Sequence, residues 1–562
     1  MRTLEMGLRR PVRPTTIGRC GPVVAIITMI LSLAPGCALR DTNEGGQPGT
    51  GARPLRLGVI DNLRSLSPLQ NDGFDAGMLN SLVFSYLERT ASDGSLVPEL
   101  VRAVPTRRNG GISPDGRTIT YRLRDDVRWQ DGTPLTAADV VFTVRAILNP
   151  RNNVGSRDPY VRLRDVAAPD AHTVVVRLRE RDAAIVDLFF TPDSNYAILP
   201  AHLLANEPEL NDVAFNAKPI GSGPYRVAAW DRGSVVHLVA NPTYFRGKPR
   251  IAKIDLRYLS DTTTALVQLK TGELDALLGG DVGLGSQYAA LPRYRMSNVP
   301  YTGASIAAFN TERGVFADRR IRRAIARGID RVRLVADVTR GFATAHDASR
   351  GLFSYADDPH APWPTYDPGA AAADLDRAGW RLGPGGVRQR NGRLLALDLI
   401  FPTSSASNRI EAVEMQQQLA RLGVRVDLHG YTYTQFWSHA EDGGPFVLGK
   451  FDLALARYSS NVDPDVSWLF ACRERAPRGY NDARYCNPHV DAALRDSAHA
   501  LDDKARRAEL ARVQRLVAND VPLLPLYQSR ELDVIPRNVD GFVANGTLPY
   551  DSVEHWRIRP SR

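Results

Sequence analysis

The chain has 562 residues, of which 43% are hydrophobic and 24% are charged. These proportions are typical of a globular protein, and the length is too great for one hydrophobic core, so we expect at least two lobes. The formal net charge is +9, but residues 1–36 carry five arginines and one glutamate and account for four of those charges. The other arginines are scattered among acidic residues, which argues against binding of nucleic acid.

The first 36 residues have the pattern of a secretory signal peptide. Arginines precede an apolar stretch, residues 23–33, that is too short to span a bilayer. Small residues then lead to Cys37, which resembles the lipidated cysteine of a bacterial lipobox. Residues 37–53 are rich in Gly, Asn, Thr and Pro and predict a flexible tether. We therefore expect a lipid-anchored protein at the extracytoplasmic face of the cell membrane, with plain secretion as the alternative.

From residue 55 onward, apolar periodicity and capping residues predict alternating strands and helices, as in an α/β protein. In chain order, strands are predicted at residues 55–60, 117–123, 173–178, 226–230, 251–258, 306–310, 395–400, 424–428, 451–456 and 521–527. Helices are predicted at residues 76–87, 137–148, 262–271, 316–330, 369–378, 409–422 and 507–516.

One stretch combines a strand, a turn and a capped helix. Residues 117–123 alternate apolar and polar side chains, and Asp131-Gly132-Thr133-Pro134 has the residues of a turn. Thr136 is a good N-cap, and Asp139 stands at the positive end of the helix that follows. Without comparison to other proteins, these residues predict structural elements and indicate no catalytic or binding function.

This stretch resembles the signature of the family 5 extracytoplasmic solute-binding proteins, the peptide-binding lipoproteins of ABC importers. The matching residues are Tyr121-Arg122-Leu123-Arg124, Trp129, Asp131-Gly132-Thr133-Pro134 and Thr136-Ala137-Ala138-Asp139-Val140-Val141-Phe142, with Gly221-Ser222-Gly223-Pro224-Tyr225 and Phe451-Asp452-Leu453-Ala454 further on. The resemblance implies an α/β, two-lobe fold like that of periplasmic binding proteins, of the class II type (cluster C), with an extra subdomain in lobe I.

The resemblance also implies an organisation and partners. Lobe I is expected over residues 54–305, with an inserted subdomain at about 91–197, and lobe II over residues 306–527; residues 528–562 then return to lobe I. Two lobes joined by two crossings can hinge around a ligand. The expected partners are a peptide or peptide-like solute and an ABC permease in the membrane, and we expect a monomer without a cofactor.

One position departs from the family pattern. In the family an aspartate of lobe II, three residues before an Asp-Pro pair, anchors the α-ammonium group of a peptide that lies extended between the lobes. Here the pair is Asp463-Pro464 and the anchor position is Ser460. The substitution argues against recognition of a free N-terminus. It keeps open a modified peptide, a nickel chelate, haem or an oligosaccharide as ligand, and also a non-transport regulatory or interaction lipoprotein of the cell envelope.

Position in the chain gives eleven candidate ligand-binding residues. Lobe I contributes Ser65, Leu66 and Ser67, and lobe II contributes Tyr433, Phe436, Trp437, Arg457, Tyr458, Ser459, Ser460 and Asp463. For the aromatic residues among them, packing in the core of lobe II is the alternative.

The remaining cysteines predict a structural role. Cys472 and Cys486 form an even pair in an oxidising compartment, so we expect a disulfide. Two cysteines are too few for a Cys-only metal site. The chain has neither a Gly-x-Ser-x-Gly nor a His-Glu-x-x-His motif, so we expect no catalytic residue, no metal site and no enzyme.

Overall fold

The computed structural model describes residues 53–60, 63, 65–70, 74–192, 196–440, 442–459, 462–548 and 550–560, without the side chains of residues 74–76. The chain falls into two units, residues 1–51 and residues 52–562, and the strands and helices named below belong to the second unit. The predicted signal peptide, the lipid site Cys37, the tether up to residue 52 and the anchor position Ser460 lie outside the described residues.

The strands of the described residues are, in chain order, β1 (Leu55–Val59), β2 (Glu88–Thr90), β3 (Leu96–Pro98), β4 (Thr118–Arg122), β5 (Leu163–Asp170), β6 (Thr173–Leu178), β7 (Tyr225–Asp231), β8 (Val235–Ala240), β9 (Lys253–Tyr258), β10 (Ala276–Leu277), β11 (Tyr294–Phe309), β12 (Arg381–Leu382), β13 (Arg388–Arg390), β14 (Arg393–Leu394), β15 (Ala396–Pro402), β16 (Arg425–Tyr431), β17 (Leu453–Ser459), β18 (Leu523–Pro536), β19 (Val539–Asp540) and β20 (Arg557–Ile558).

The helices are α1 (Phe74–Val83), α2 (Ala137–Leu148), α3 (Ile185–Leu188), α4 (Ala201–Leu204), α5 (Thr262–Thr271), α6 (Gly285–Ala289), α7 (Arg319–Arg327), α8 (Arg331–Thr339), α9 (Arg350–Phe353), α10 (Pro368–Arg377), α11 (Ala406–Arg421), α12 (Tyr433–Phe436), α13 (Ser467–Phe470), α14 (Pro488–His499) and α15 (Asp503–Asp520). Short 3-10 turns, among them Tyr160–Arg162 and Ala214–Asn216, connect some of them.

A single mixed sheet passes through both lobes. Within the described residues its order is β16-β15-β17-β11-β18-β10-β1-β9-β8-β7. β15 pairs in parallel with β16, and β1 pairs in parallel with β9 and β10. The parallel pairs with intervening helices are the α/β units that the sequence predicts.

Two long antiparallel strands, β11 and β18, carry the chain between the lobes. β18 pairs with β10 of lobe I near one end, while β11 pairs with β17 of lobe II over its last residues. Their common ladder has irregularities between Pro300 and Ala304 and between Ser305 and Ile306. The lobe boundaries at residues 305/306 and 527/528 stay a prediction; in sequence they fall within β11 and β18.

Three hydrophobic clusters cover the sheet, and they are distributed unequally between its faces. The first, the lobe I core, contains Leu57 and Tyr121; the third, the lobe II core, contains Phe436 and Tyr458. The second, the shared core, packs residues of both lobes under α5, α7, α8, α10 and α11. One face of the sheet therefore has one continuous core, and the other face has a separate core in each lobe.

A buried carboxylate connects α2 to the segments that flank it. Asp139, in the first turn of α2, accepts hydrogen bonds from the backbone N–H of Thr136 and of Ala201, both at 2.8 Å, and from the indole N–H of Trp129 at 3.4 Å. Burial raises the pKa of Asp139, against the effect of these donors. The Trp, Thr and Asp of the sequence signature thus act as structural residues.

Two predicted helices are shorter in the structure than expected. Residues 316–330 predict one helix, but α7 covers only Arg319–Arg327. Residues 76–87 predict a helix, but α1 ends at Val83. The turn at Gly221–Gly223 lies against that end: the N–H of Gly223 donates to the Val83 carbonyl at 2.9 Å, and a Cβ on Gly221 would lie 1.9 Å from the same oxygen. This long-range contact, which requires glycine, determines where the helix ends.

Candidate functional site

The unequal distribution of the cores locates the cleft. On the shared-core face, side chains of both lobes interlock, so the lobes cannot separate there without unpacking them. On the opposite face the lobe I core and the lobe II core are separate clusters. The candidate ligand site is therefore the cleft on this second face, with β11 and β18 as its floor.

Successive residues at the end of β17 point to opposite faces, as in any strand. Tyr458 lies in the lobe II core, on the cleft face. Arg457 pairs with Ser305 of β11 and faces the shared core with it. Ser459, the last residue of β17, is exposed. The three consecutive candidates are thus in three different environments.

Arg457 belongs to a buried polar network behind the crossing strands. Glu411 of α11 is fully buried and accepts hydrogen bonds from the Tyr527 hydroxyl at 2.7 Å and the Ser305 hydroxyl at 3.3 Å. Burial raises the pKa of Glu411 to about 7. Burial also disfavours the charge on Arg457, but Tyr527, Asp281 and Glu411 hold its pKa above the usual value. Arg457 is therefore engaged on the side away from the cleft.

The same network links the two lobes behind the hinge. Asp281, which follows β10 of lobe I, accepts hydrogen bonds from the hydroxyls of Ser405 and Ser407 at the start of α11 in lobe II. The backbone N–H of Ser407 also donates to Asp281, at 3.3 Å. A lobe I carboxylate thus lies at the positive end of a lobe II helix, where it is favourable.

Tyr458 is fixed by a buried acid. Its hydroxyl donates to Asp482 Oδ2 at 2.7 Å. Burial raises the pKa of Asp482 to about 7, against the lowering effect of that hydrogen bond. The Tyr458 ring lies 5.4 Å from the Trp468 ring and 6.3 Å from the Trp437 ring, both edge-on. Tyr458 is 6% exposed, so it forms part of the wall of the lobe.

The predicted aromatic candidates of lobe II differ in burial. Phe436 is fully buried and stacks on Phe446, with centroids 4.8 Å apart. Trp437 and Tyr433 are half-buried, with ring centroids 6.4 Å apart. Phe436 thus has the contacts of a core residue, while Trp437 and Tyr433 retain surface that a ligand can contact.

Asp463 is not free to bind a ligand. Its two carboxylate oxygens accept hydrogen bonds from Nη1 and Nη2 of Arg506, each at 2.6 Å, in a bidentate pair that is almost completely buried. Burial disfavours the charge of Arg506, yet Asp463 raises its pKa above the usual value. Arg506 Nη1 also donates to the Tyr355 hydroxyl at 3.2 Å. The Asp-Pro motif therefore fixes the segment to α15.

The next acid along the chain is also paired. Asp465 contacts Nη1 of Arg162, in the inserted subdomain, at 3.1 Å, and accepts a hydrogen bond from the Ser467 N–H at 2.9 Å. Burial opposes the charge of Asp465, but Arg162 and Ser467 lower its pKa. Neither acid after β17 presents an unpaired carboxylate to the cleft.

The candidates of lobe I lie in a buried turn. Leu66 is fully buried in the lobe I core, and its N–H donates to the Asn216 carbonyl at 2.7 Å. Ser65 Oγ accepts from the Ser67 N–H at 3.0 Å, and both serines are buried. The structure thus places these three residues in the interior of lobe I, where they have almost no exposed surface for a ligand.

Cys472 and Cys486 are joined in a disulfide, the pairing predicted from the sequence. Among the described residues, no group of three or more His, Cys, Asp and Glu side chains is arranged to hold a metal ion. In that same part of the chain, no helix combines the length and the apolar character that crossing a bilayer requires.

Sequence reasoning missed the partners of the candidate residues. Arg506, Asp482 and Glu411 are distant in sequence from the residues they contact, and Arg162 is 303 positions from Asp465. One signal in the sequence was the strand period, which places Arg457 and Tyr458 on opposite faces.

The fold defines a class of protein by its structural neighbours. The oligopeptide-binding protein AppA of Bacillus subtilis, solved with a nonapeptide, superposes with a TM-score of 0.81 at 22% identity, covering 90% of this chain and 99% of that one. NikZ of Campylobacter jejuni, solved with Ni(L-His), gives 0.79 at 24% identity, with coverage of 90% and 99%. Both show the two-lobe α/β fold of extracytoplasmic binding proteins.

The family follows from the sequence comparisons. Residues 96–475 match the model of bacterial extracellular solute-binding proteins, family 5 middle. Protein XP55 of Streptomyces lividans is 30% identical over 513 residues, which are 87% of this chain and 86% of that protein. AppA is 24% identical over 545 residues, which are 95% and 97% of the two chains. The chain belongs to the family 5 extracellular solute-binding proteins; it is a binding protein and not an enzyme.

Proposed function

We propose that the chain captures a peptide or peptide-like solute between its lobes and delivers it to an ABC permease. In this proposal a lipid on Cys37 holds the protein at the extracytoplasmic face of the membrane, and residues up to 53 act as the tether. The protein acts as a monomer, and the energy for transport comes from a separate ATPase.

The observation that carries the proposal is the similarity to AppA over almost the whole of both chains. AppA was solved in complex with a nonapeptide. In this proposal a ligand that lies extended between the lobes pairs with exposed strand edges, which offer main-chain groups at regular spacing. Such contacts favour peptides without reading their sequence.

The residues that we propose to contact the ligand follow from exposure. Trp437 and Tyr433 are half-buried in lobe II, and Ser459 is exposed at the end of β17. We also propose Ser460, the next residue in the sequence, as a ligand contact. We propose that Phe436, Leu66 and the other buried candidates do not contact the ligand and instead pack behind the residues that line the cleft.

The engaged acids favour a second candidate ligand class. Asp463 forms an ion pair with Arg506, and Asp465 forms one with Arg162. Neither carboxylate is therefore available to bind the free amine of a peptide. A solute without an α-ammonium group, such as a blocked peptide, a sugar or a metal chelate, needs no such partner. The structural likeness to NikZ, solved with Ni(L-His), is compatible with this class.

Native mass spectrometry of the chain from residue 38 onward, purified without denaturation, tests the proposal. Released ligands are identified by fragmentation. A ladder of mixed peptide masses supports peptide import, and a single non-peptide mass supports the second class. No bound mass, together with no thermal shift on adding peptide pools, contradicts transport and favours an envelope protein that acts by interaction.

The lipid anchor has its own test. Cells that express the full chain are labelled with a fatty-acid analogue, and the Cys37→Ala variant is the matched control. Incorporation into the parent and not into the variant supports the anchor. Equal labelling of both, or of neither, contradicts it and leaves plain secretion.

A further inference from the structure

An arginine of the inserted subdomain contacts three aspartates, one of which belongs to the other lobe. Arg162, at the end of a 3-10 turn, pairs with Asp158 and with Asp182 at 2.7 Å, both in the subdomain. The third contact, at 3.1 Å, is to Asp465 of lobe II. One guanidinium thus joins the inserted subdomain to the segment of lobe II that contains Asp465.

This cluster is shielded from water, which makes the charges interact strongly. The side chain of Arg162 is 15% exposed, that of Asp182 is 5% and that of Asp465 is 7%. Burial disfavours the charge of Arg162, but the three aspartates together raise its pKa well above the usual value. If Asp465 moved away, the favourable pairing across the cleft would be lost.

A second set of contacts joins the same two parts. The N–H of Ala183, in the subdomain, donates to the carbonyl of Ala498 near the end of α14, at 2.8 Å. Beside it, Nε2 of His499 lies 2.8 Å from Glu180. Asp158 of the subdomain also lies 3.6 Å from Nη2 of Arg473 in lobe II, so the subdomain contacts lobe II at several places.

The position of Asp465 connects these contacts to the ligand site. Asp465 lies six positions after the exposed Ser459, the last residue of β17, and two positions after Asp463, which pairs with Arg506. We propose that Arg162 is a positioning residue: it latches the segment after β17 to the subdomain when the lobes close. This deepens the proposed function, on which it rests, by assigning the inserted subdomain a role in closure.

The Asp465→Asn variant tests the latch with little disturbance. Asparagine keeps an oxygen for the Ser467 N–H but removes the charge opposite Arg162, and the pairs within the subdomain remain. Asp165→Asn is the matched control, because Asp165 pairs with Arg177 at 2.6 Å within the subdomain and both side chains are about half exposed. Arg162→Met is the second variant.

The distance between subdomain and lobe II is measured directly, without a ligand. Spin labels are attached to cysteines introduced at two exposed positions, Arg145 of α2 and Lys504 of α15. The parent is expected to show the short distance of the closed arrangement. Asp465→Asn is expected to shift the ratio of closed to open populations toward open by about tenfold or more, as for loss of a buried charge pair, and Arg162→Met at least as far.

Two results overturn the latch. The first is an unchanged distance distribution in Asp465→Asn when the variant melts like the parent. The second is an equal shift in the Asp165→Asn control, which would mean that any lost charge in the subdomain opens the molecule. Because the readout needs no ligand, failure of the latch is distinguishable from failure of the transport proposal, which depends on the ligand found by mass spectrometry.

Discussion

Replacing Glu411 by glutamine should stabilise the chain at pH 8 and have little effect near pH 4.5. The Glu411 carboxyl is fully buried, accepts hydrogen bonds from Tyr527 and Ser305, and has a pKa raised by burial from 4.5 to about 7. Glutamine never ionises; its amide oxygen can accept from one of the two hydroxyls, and its NH2 group can donate to the oxygen of the other. Asp281 remains as a negative neighbour of Arg457 in the variant.

The direction of the effect follows from proton binding. Between pH 4.5 and 7 the folded chain holds the Glu411 proton more tightly than the unfolded chain, so the free energy of unfolding falls as the pH rises through this window. Above pH 7 the folded chain carries a buried charge. At about 1.4 kcal/mol for each pKa unit, the difference amounts to about 3 kcal/mol.

The assay is urea unfolding followed by tryptophan fluorescence at several pH values from 4.5 to 8. The stability difference between Glu411→Gln and the parent should grow with pH to about 3 kcal/mol at pH 8. Glu414→Gln, one turn later on α11 and half-buried, is the control with the same charge change. The reasoning would be refuted if the free energies of unfolding of the parent and of Glu411→Gln changed in parallel with pH. It would also be refuted if the variant were less stable than the parent at pH 8.

Three further predictions concern the scaffold around the cleft. Asp463→Asn should cost about 3–5 kcal/mol, because the buried charge of Arg506 then lacks its paired carboxylate. An unchanged melting temperature would contradict this. The double variant Asp463→Leu/Arg506→Met, which removes both charges, should regain most of the loss. Cys472→Ser should cost about 3 kcal/mol, since the bond to Cys486 closes a short loop. Reductant should lower the melting temperature of the parent and leave that variant unaffected. In Gly351→Ala the new Cβ would lie 2.0 Å from a carbonyl oxygen on β11. A loss of about 1–3 kcal/mol in the free energy of unfolding is therefore expected. An unchanged melting temperature would contradict this and would mean that β11 moves to accommodate the methyl group.

Elements with strong local signals were predicted to the residue. α2 begins after Thr136, α5 begins after Asp261, whose side chain accepts from the Thr264 N–H, and β6 matches its predicted range. Here capping residues and strand alternation are sufficient. The boundaries therefore depend on neighbours within a few positions.

Elements shaped by distant contacts could not be predicted in this way. The sequence indicates a strand at residues 306–310, whereas β11 begins at Tyr294. The additional stretch contains Pro300 and Gly303, which favour turns, and it is extended because β18 pairs along it. The end of α1 is likewise determined by a turn far away in sequence.

The site was predictable only in outline. The family resemblance indicated which segment follows β17, but Asp463 and Asp465 have partners 43 and 303 positions away. Since the pairing of a carboxylate depends on tertiary contacts, no local pattern distinguishes a ligand-binding aspartate from one that is already engaged. Exposure in the structure supplies that distinction.

The shared core has a consequence for how the molecule can be divided. Leu277 of lobe I and Leu399 of lobe II are both fully buried in that cluster, so a fragment ending between the lobes would expose an apolar surface on each half. Separating the halves would also require cutting β11 and β18, which lie inside the sheet. Limited proteolysis should therefore trim peripheral loops first, and neither lobe should be recoverable as an independent, soluble fragment.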